Sequence, residues 1–125
     1  MEKIKLFDGE LKLMELLWEN EGATAKELSL IAMDKIGWNK NTTYTVIKKL
    51  VAKGAIQRSE PGFICHSLIA REDVGREEAK KVLRSFFGGS AKALFSSFMS
   101  DGILSDKEAD ELKKLIDEHG RKGSR

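Results

Sequence analysis

Within its first seventy residues the chain sets out three amphipathic helical stripes followed by two short β-leaning runs around a Pro-Gly turn, an order that few small folds can accommodate. Leu11, Met14, Leu17 and Trp18 recur at helical spacing after Asp8, a candidate N-cap, and the pattern stops at Asn20, Glu21 and Gly22. Thr24 and Glu27 have the spacing of a capping box, in which hydroxyl and carboxylate each accept a backbone amide that the first turn leaves free. Leu28, Ile31 and Ala32 form the stripe behind it, ending near Gly37. Trp38, Asn39, Lys40 and Asn41 make a polar turn with candidate caps at both asparagines. Thr43, Val46, Ile47, Leu50 and Val51 then give the third stripe, closed by Gly54 in the C′ position. Residues 55–59 and 63–68, joined through Glu60, Pro61 and Gly62, read as a hairpin.

Three helices and a hairpin, with a tight turn before the third helix, is the order of a winged helix-turn-helix, here expected over residues 1–70. The third helix is the one such domains place in the major groove. Stepping 100° per residue away from Val46, Ile47 and Leu50 finds the face the core leaves free: Asn41, Thr45, Lys48 and Ala52, with Thr42 and Lys49 on one margin and Tyr44 on the other. Asn and Thr can read base edges, Ala52 permits close approach, and the lysines can reach phosphates. Across residues 39–59 the only charged side chains are Lys40, Lys48, Lys49, Lys53 and Arg58, whereas acids dominate residues 100–118. Positive charge is therefore concentrated on one segment, although the whole chain carries only +2. The plain alternative is a solvated helix face that lacks acids. Arg58 and His66 are wing positions that either touch the DNA backbone or are merely hydrated. Trp38 is expected to cover the small core rather than stack on sugar-phosphate.

From residue 71 onward the patterns are helical only. Residues 77–87 present Ala79, Val82, Leu83, Phe86 and Phe87; residues 90–99 present Ala91, Leu94, Phe95 and Phe98; Gly88 and Gly89 separate them. A last helix opens on a second capping box, Ser105 and Glu108, presents Ala109, Leu112, Leu115 and Ile116, and is expected to end at Gly120 before a basic tail. Val82, Leu83, Phe86, Phe87, Leu94, Phe95, Phe98, Leu112, Leu115 and Ile116 are too many apolar side chains for three short helices to cover. Residues 71–125 are accordingly expected to be a helical dimerisation arm whose partner is a second copy of itself. Packing of the arm against its own N-terminal domain is the alternative. The fold class expected is mainly α with a small β-hairpin wing.

At 125 residues there is room for one domain and an appendage, and 41% hydrophobic residues suffice for a core. Cys65 stands alone, which excludes an intramolecular disulfide and a cysteine cluster and fits a reducing compartment. Neither a signal-peptide run nor a membrane-length apolar stretch is found, so a cytoplasmic protein with no membrane partner is expected. Catalytic chemistry finds no inventory. His66 and His119 are far apart, Cys65 has no activating base in view, and no phosphate-cradling loop or metal-ligand spacing occurs. No catalytic residue, metal or cofactor is assigned.

Four runs carry a family likeness: ELKLMELLW at residues 10–18, WNKNTTYTVIKKLVAKG at 38–54, FFGG at 86–89 and LSDKEADELKKL at 104–115. On these the chain resembles the penicillinase and methicillin-resistance repressors, and the related copper-responsive repressors, over nearly its whole length. The resemblance implies a dimer that binds a double-stranded operator of dyad symmetry and blocks transcription until a signal relieves it. Its groove-reading positions fall on Asn41, Thr42, Tyr44, Thr45 and Lys49; Tyr44 stands where some members carry arginine. In the β-lactam branch a membrane sensor linked to a protease leads to a cut in the C-terminal arm, and the corresponding bond here is Ser97-Phe98. This chain has Ser97 where the aligned family site has asparagine, so relief by cleavage and relief by another signal both stand. The copper branch uses a cysteine-rich C-terminal motif, and no cysteine follows Cys65.

The expectation is thus a DNA-binding repressor: Asn41, Thr42, Tyr44 and Thr45 at bases, Lys40, Lys48, Lys49 and Arg58 at phosphates. Two rivals differ in class. A winged-helix protein-interaction module would carry acids or exposed hydrophobes on the free face of its third helix. A ligand- or redox-responsive regulator would be one in which Cys65 matters, although a lone strand cysteine is more often inert packing.

Overall fold

The computed structural model describes residues 4–123; residues 1–3, where the N-terminus was read for a signal peptide, and residues 124–125 of the basic tail lie outside them. The chain divides into two compact units, Met1–Arg76 and Glu77–Arg125. Its elements are α1 (Asp8–Glu19), α2 (Ala25–Ile36), α3 (Lys40–Lys53), β1 (Ile56–Ser59), β2 (Ile64–Ser67), α4 (Arg71–Phe87), α5 (Ala91–Ser100) and α6 (Asp106–Gly123).

Local chemistry sets most of the boundaries. Glu27 N–H donates to Thr24 Oγ1 at 3.1 Å and Thr24 N–H to Glu27 Oε1 at 2.9 Å, the reciprocal pair expected at the start of α2. Gly37 closes α2 at φ 70°, a left-handed conformation that glycine adopts without a Cβ penalty. Of the two candidate caps of α3 it is Asn39 that serves, accepting from Thr42 N–H at 2.8 Å, while Asn41 lies inside the helix. Asp8 is likewise the first helical residue of α1 and not its cap. Phe7 takes the cap position in extended backbone, and its N–H is satisfied at 2.9 Å by Glu10 from within the first turn.

Leu13, Met14, Leu16 and Leu17 of α1, Leu28 and Ala32 of α2, Ile47 and Leu50 of α3, and Ala55, Ile56 and Cys65 of the hairpin form one buried cluster. Half-buried Leu11, Trp18, Ile31, Val46, Val51 and Trp38 surround it, so Trp38 covers the core edge. Each stripe read from the sequence meets this cluster. Thr43 is buried with its hydroxyl donating to Asn39 O at 3.3 Å, which relieves the cost of enclosing it.

The strands pair antiparallel with Arg58 opposite Cys65 and Gln57 opposite His66. One further pairing has no periodic signature: Thr24 bridges Ile64, with Ala25 N–H donating to Phe63 O and Cys65 N–H to Ala23 O, both at 2.9 Å. The hairpin is thereby tied to the start of α2. The Glu21 carboxylate reinforces this, accepting from Ser67 N–H at 2.7 Å and Ser67 Oγ at 2.8 Å. Three helices and this sheet constitute a winged helix-turn-helix, as expected.

Two helix ends differ from the sequence expectation. α4 starts at Arg71, six residues earlier than its apolar stripe, because Val74 packs on the core and Trp18 Nε1 donates to Ile69 O at 3.1 Å, fixing the chain just before it. α6 continues through Gly120, since a glycine near a helix end costs only about 1 kcal/mol against alanine and does not compel termination. No side chain of α4 or α5 is buried.

Candidate nucleic-acid interface

The face of α3 turned from the core is polar, cationic and open. Lys40, Asn41, Thr42, Thr45, Lys48, Lys49 and Ala52 are all exposed, and no carboxylate interrupts them. A duplex phosphate meeting this surface finds nothing to repel it. Lys53, last residue of the helix and also cationic, is already engaged: its ammonium donates to Lys5 O at 2.8 Å and to Glu10 Oε1 at 2.5 Å. Lys49 stands one turn before it on the same edge, near enough for its charge to help depress the Glu10 carboxyl. Burial pushes that carboxyl up, but the Lys53 ammonium, the Phe7 N–H and the two lysine charges outweigh burial and hold it below the ordinary value of 4.5.

Tyr44 differs from its neighbours in being half-buried. Its ring meets Phe63 edge-on, centroids 6.2 Å apart at 84°, and the Lys40 ammonium lies 5.7 Å from its centre. The Arg58 guanidinium in turn lies over the Phe63 ring, 3.7 Å from its centre. Arg58, two residues from buried Ile56 and opposite Cys65 on the hairpin, is exposed and reaches across this ring. Glu60 pairs with Arg58 Nε, a contact that lowers the Glu60 carboxyl from its ordinary 4.5. The structure thus brings Lys40, Tyr44 and Arg58 into one cluster through Phe63, while Asn41, Thr45 and Lys48 occupy the open face of α3. Phe63 and Glu60 were not singled out by sequence; their only signal was their place in the turn.

Cys65 is buried, and desolvation pushes its thiol from 9.0 up to about 11, only partly opposed by Arg58. His66, next along the strand, is half-buried on the opposite face. Among the described residues no cluster of three His, Cys, Asp or Glu side chains could hold a metal, and no helix is long and apolar enough to cross a membrane.

In the second unit, Val82, Phe86, Phe95, Leu115 and Ile116 are exposed, and Leu83, Phe87, Leu94, Phe98 and Leu112 only half-buried. Phe95, Phe98, Ile103, Leu104, Leu112 and Leu115 line an open groove with Glu108 and Glu111 at its edge. The Ser97-Phe98 bond lies inside α5, where Phe98 packs edge-on against Phe95 at 6.3 Å and Ser97 O accepts from Asp101 N–H at 3.1 Å.

A family model described as the penicillinase repressor matches residues 7–118. The penicillinase repressor of Bacillus licheniformis is 25% identical over 122 residues, which is 95% of this chain and 95% of that protein. The methicillin resistance regulatory protein MecI of Staphylococcus aureus (strain N315) is 26% identical over 115 residues, 90% of this chain and 93% of its own. Among solved structures, the DNA-binding domain of the repressor BlaI superposes with a TM-score of 0.53 at 26% identity, covering 58% of this chain and 93% of that one. The monomeric form of Bacillus licheniformis BlaI in complex with the blaP half-operator gives 0.52 at the same identity and coverage.

Proposed function

Because the chain belongs to the penicillinase repressor family, we propose that it is a cytoplasmic transcriptional repressor, without enzymatic activity, that binds a dyad operator as a homodimer. The observation that carries this is the acid-free, exposed face of α3, on a domain that resembles one solved on a half-operator. With α3 in the major groove, Asn41, Thr42 and Thr45 meet base edges, Tyr44 adds its hydroxyl from the margin, and Lys40, Lys48, Lys49 and Arg58 meet phosphates. Residues 1–70 supply the DNA-binding domain and residues 71–125 the dimerisation domain.

The exposed apolar side chains of α4, α5 and α6 support the dimer: Phe86 alone is 79% exposed. A two-fold pair presents two recognition helices to two half-sites, so the second contact is made at high effective concentration. Relief follows when a sensor-linked protease cuts Ser97-Phe98 and separates α6 from the rest. The test is a footprint on the DNA upstream of the protein's own and neighbouring genes, with competitor DNA present. Protection of two half-sites on one face of the duplex is the expected result; protection that competitor abolishes would refute sequence-specific repression.

A further inference from the structure

Four side chains bridge α3 and the hairpin in the order cation, ring, ring, cation: Lys40, Tyr44, Phe63, Arg58. With its central carbon 3.7 Å from the ring centre, the Arg58 guanidinium is in van der Waals contact with the Phe63 ring, which restricts where it can sit. Phe63 itself is anchored from both sides. Its backbone sits at φ 55°, a conformation rare for a residue with a side chain, and is held there by its carbonyl accepting Ala25 N–H and its N–H donating to Glu60. An arginine on a strand would otherwise sample many rotamers and lose that freedom on binding a phosphate. Here the loss is incurred in folding. The anion now facing Arg58 is Glu60, in an ion pair whose side chains are 46% and 55% exposed and hence open to exchange with solvent or ligand.

We propose that Tyr44 and Phe63 form a rigid spacer that holds Lys40 and Arg58 as a matched pair of phosphate-binding cations, and that Glu60 occupies Arg58 until a DNA phosphate displaces it. This rests on the DNA-binding function proposed above. It makes Phe63 a positioning residue acting through Arg58, and gives the Tyr44 ring a task separate from its hydroxyl. Because phosphates are alike in every sequence, the device sets affinity and salt dependence and not base preference.

The experiment is equilibrium binding of the full chain to a short random-sequence duplex across a range of salt, with folding of each variant checked by thermal melting. Phe63→Leu should weaken binding severalfold and lower the salt slope by about one, as Arg58→Ala does, with no further loss when the two are combined. Phe63→Tyr, which keeps the ring that Arg58 packs on, should bind like the unaltered protein. Glu60→Gln should tighten binding about two- to fivefold, and that gain should vanish in the Arg58→Ala background. Additive losses at Phe63 and Arg58, or a Glu60→Gln gain that survives without Arg58, would overturn the spacer and the displacement while leaving DNA binding intact. Absence of salt-dependent duplex binding by the unaltered protein would instead overturn the repressor function on which both depend.

Discussion

Lys53 Nζ lies 2.5 Å from Glu10 Oε1, so the last residue of α3 is tied to the first turn of α1. Glu10 is only 5% exposed, and Lys53 also donates to Lys5 O and lies 4.5 Å from the centre of the Phe7 ring. The pair thus secures the C-terminal end of α3, while the Tyr44–Phe63 contact secures its N-terminal half against the hairpin.

Lys53→Met leaves a buried carboxylate without its counter-charge and should cost about 2 kcal/mol, less than for a fully enclosed pair because Lys53 is partly exposed. Glu10→Gln keeps an acceptor for Phe7 N–H and should cost about 1 kcal/mol. Since folding lowers the Glu10 carboxyl, the native state binds fewer protons than the unfolded chain near pH 4.5. Its contribution is complete above that value and is lost as pH falls through the folded value. Urea unfolding across this acid range should show a flatter profile for Glu10→Gln; an unchanged acid limb would show that the pair does not govern it.

Cys65 should be inert in the native protein. Its thiol is buried and raised to about 11, so little thiolate exists at neutral pH and none is accessible. Alkylation should follow the rate of unfolding and leave DNA affinity unchanged in the folded state. Stability should also decline as pH rises from 9.0 toward about 11, where the unfolded chain ionises first. Rapid labelling of folded protein, with altered DNA binding, would restore the redox-regulator alternative.

Thr45 and Lys49 should separate specificity from affinity. Thr45 is on the exposed face of α3, where a hydroxyl and methyl can read a base pair, and Thr45→Ala should change preference at one position of the half-site by about 1–3 kcal/mol. Lys49→Ala should weaken every sequence alike and lower the salt slope by about one. A Lys49→Ala protein with unaltered affinity and slope would remove that residue from the phosphate contacts.

The winged helix was legible because its signals are local and agree with one another: the Thr24 and Glu27 box, the Asn39 cap, Gly37 and Gly54, and three stripes of period 3.6. The open face of α3 followed by geometry from its buried one. What the sequence concealed arises from contacts distant along the chain. Lys53 lies among the other cations of residues 39–59, yet its role is settled by Glu10, forty-three positions earlier. The stack of Arg58 on Phe63 depends on a backbone conformation at Phe63 that no composition rule anticipates. The bridge from Thr24 to Ile64 is a single pairing and leaves no alternation to detect. The start of α4 was missed because Val74 is one apolar residue among charges, and only the core it packs on gives it weight.

Phe86 and Ile116 offer a test of the proposed dimer that monomer folding does not confound. Both are exposed, at 79% and 65%, so replacing either by glutamate removes little burial from a single chain and should leave its helix content intact. Placed between two copies, the same charge is desolvated without a partner and should drive the protein to monomer in sedimentation equilibrium. Affinity for a full dyad should then fall toward that for a half-site, as the second contact is no longer made at high effective concentration. A chain ending at Ser97 should behave likewise, because it lacks α6 and the Phe98 wall of the groove. Cleavage of the intact chain at that bond has a further requirement. Phe98 lies within α5, so any protease that cuts there has first to unwind part of a hydrogen-bonded helix before the peptide can enter its active site. Mild helix destabilisation, by Ala93→Gly on the exposed side of α5, should accelerate cutting while leaving operator affinity unchanged; a rate indifferent to it would place the cut elsewhere in the arm.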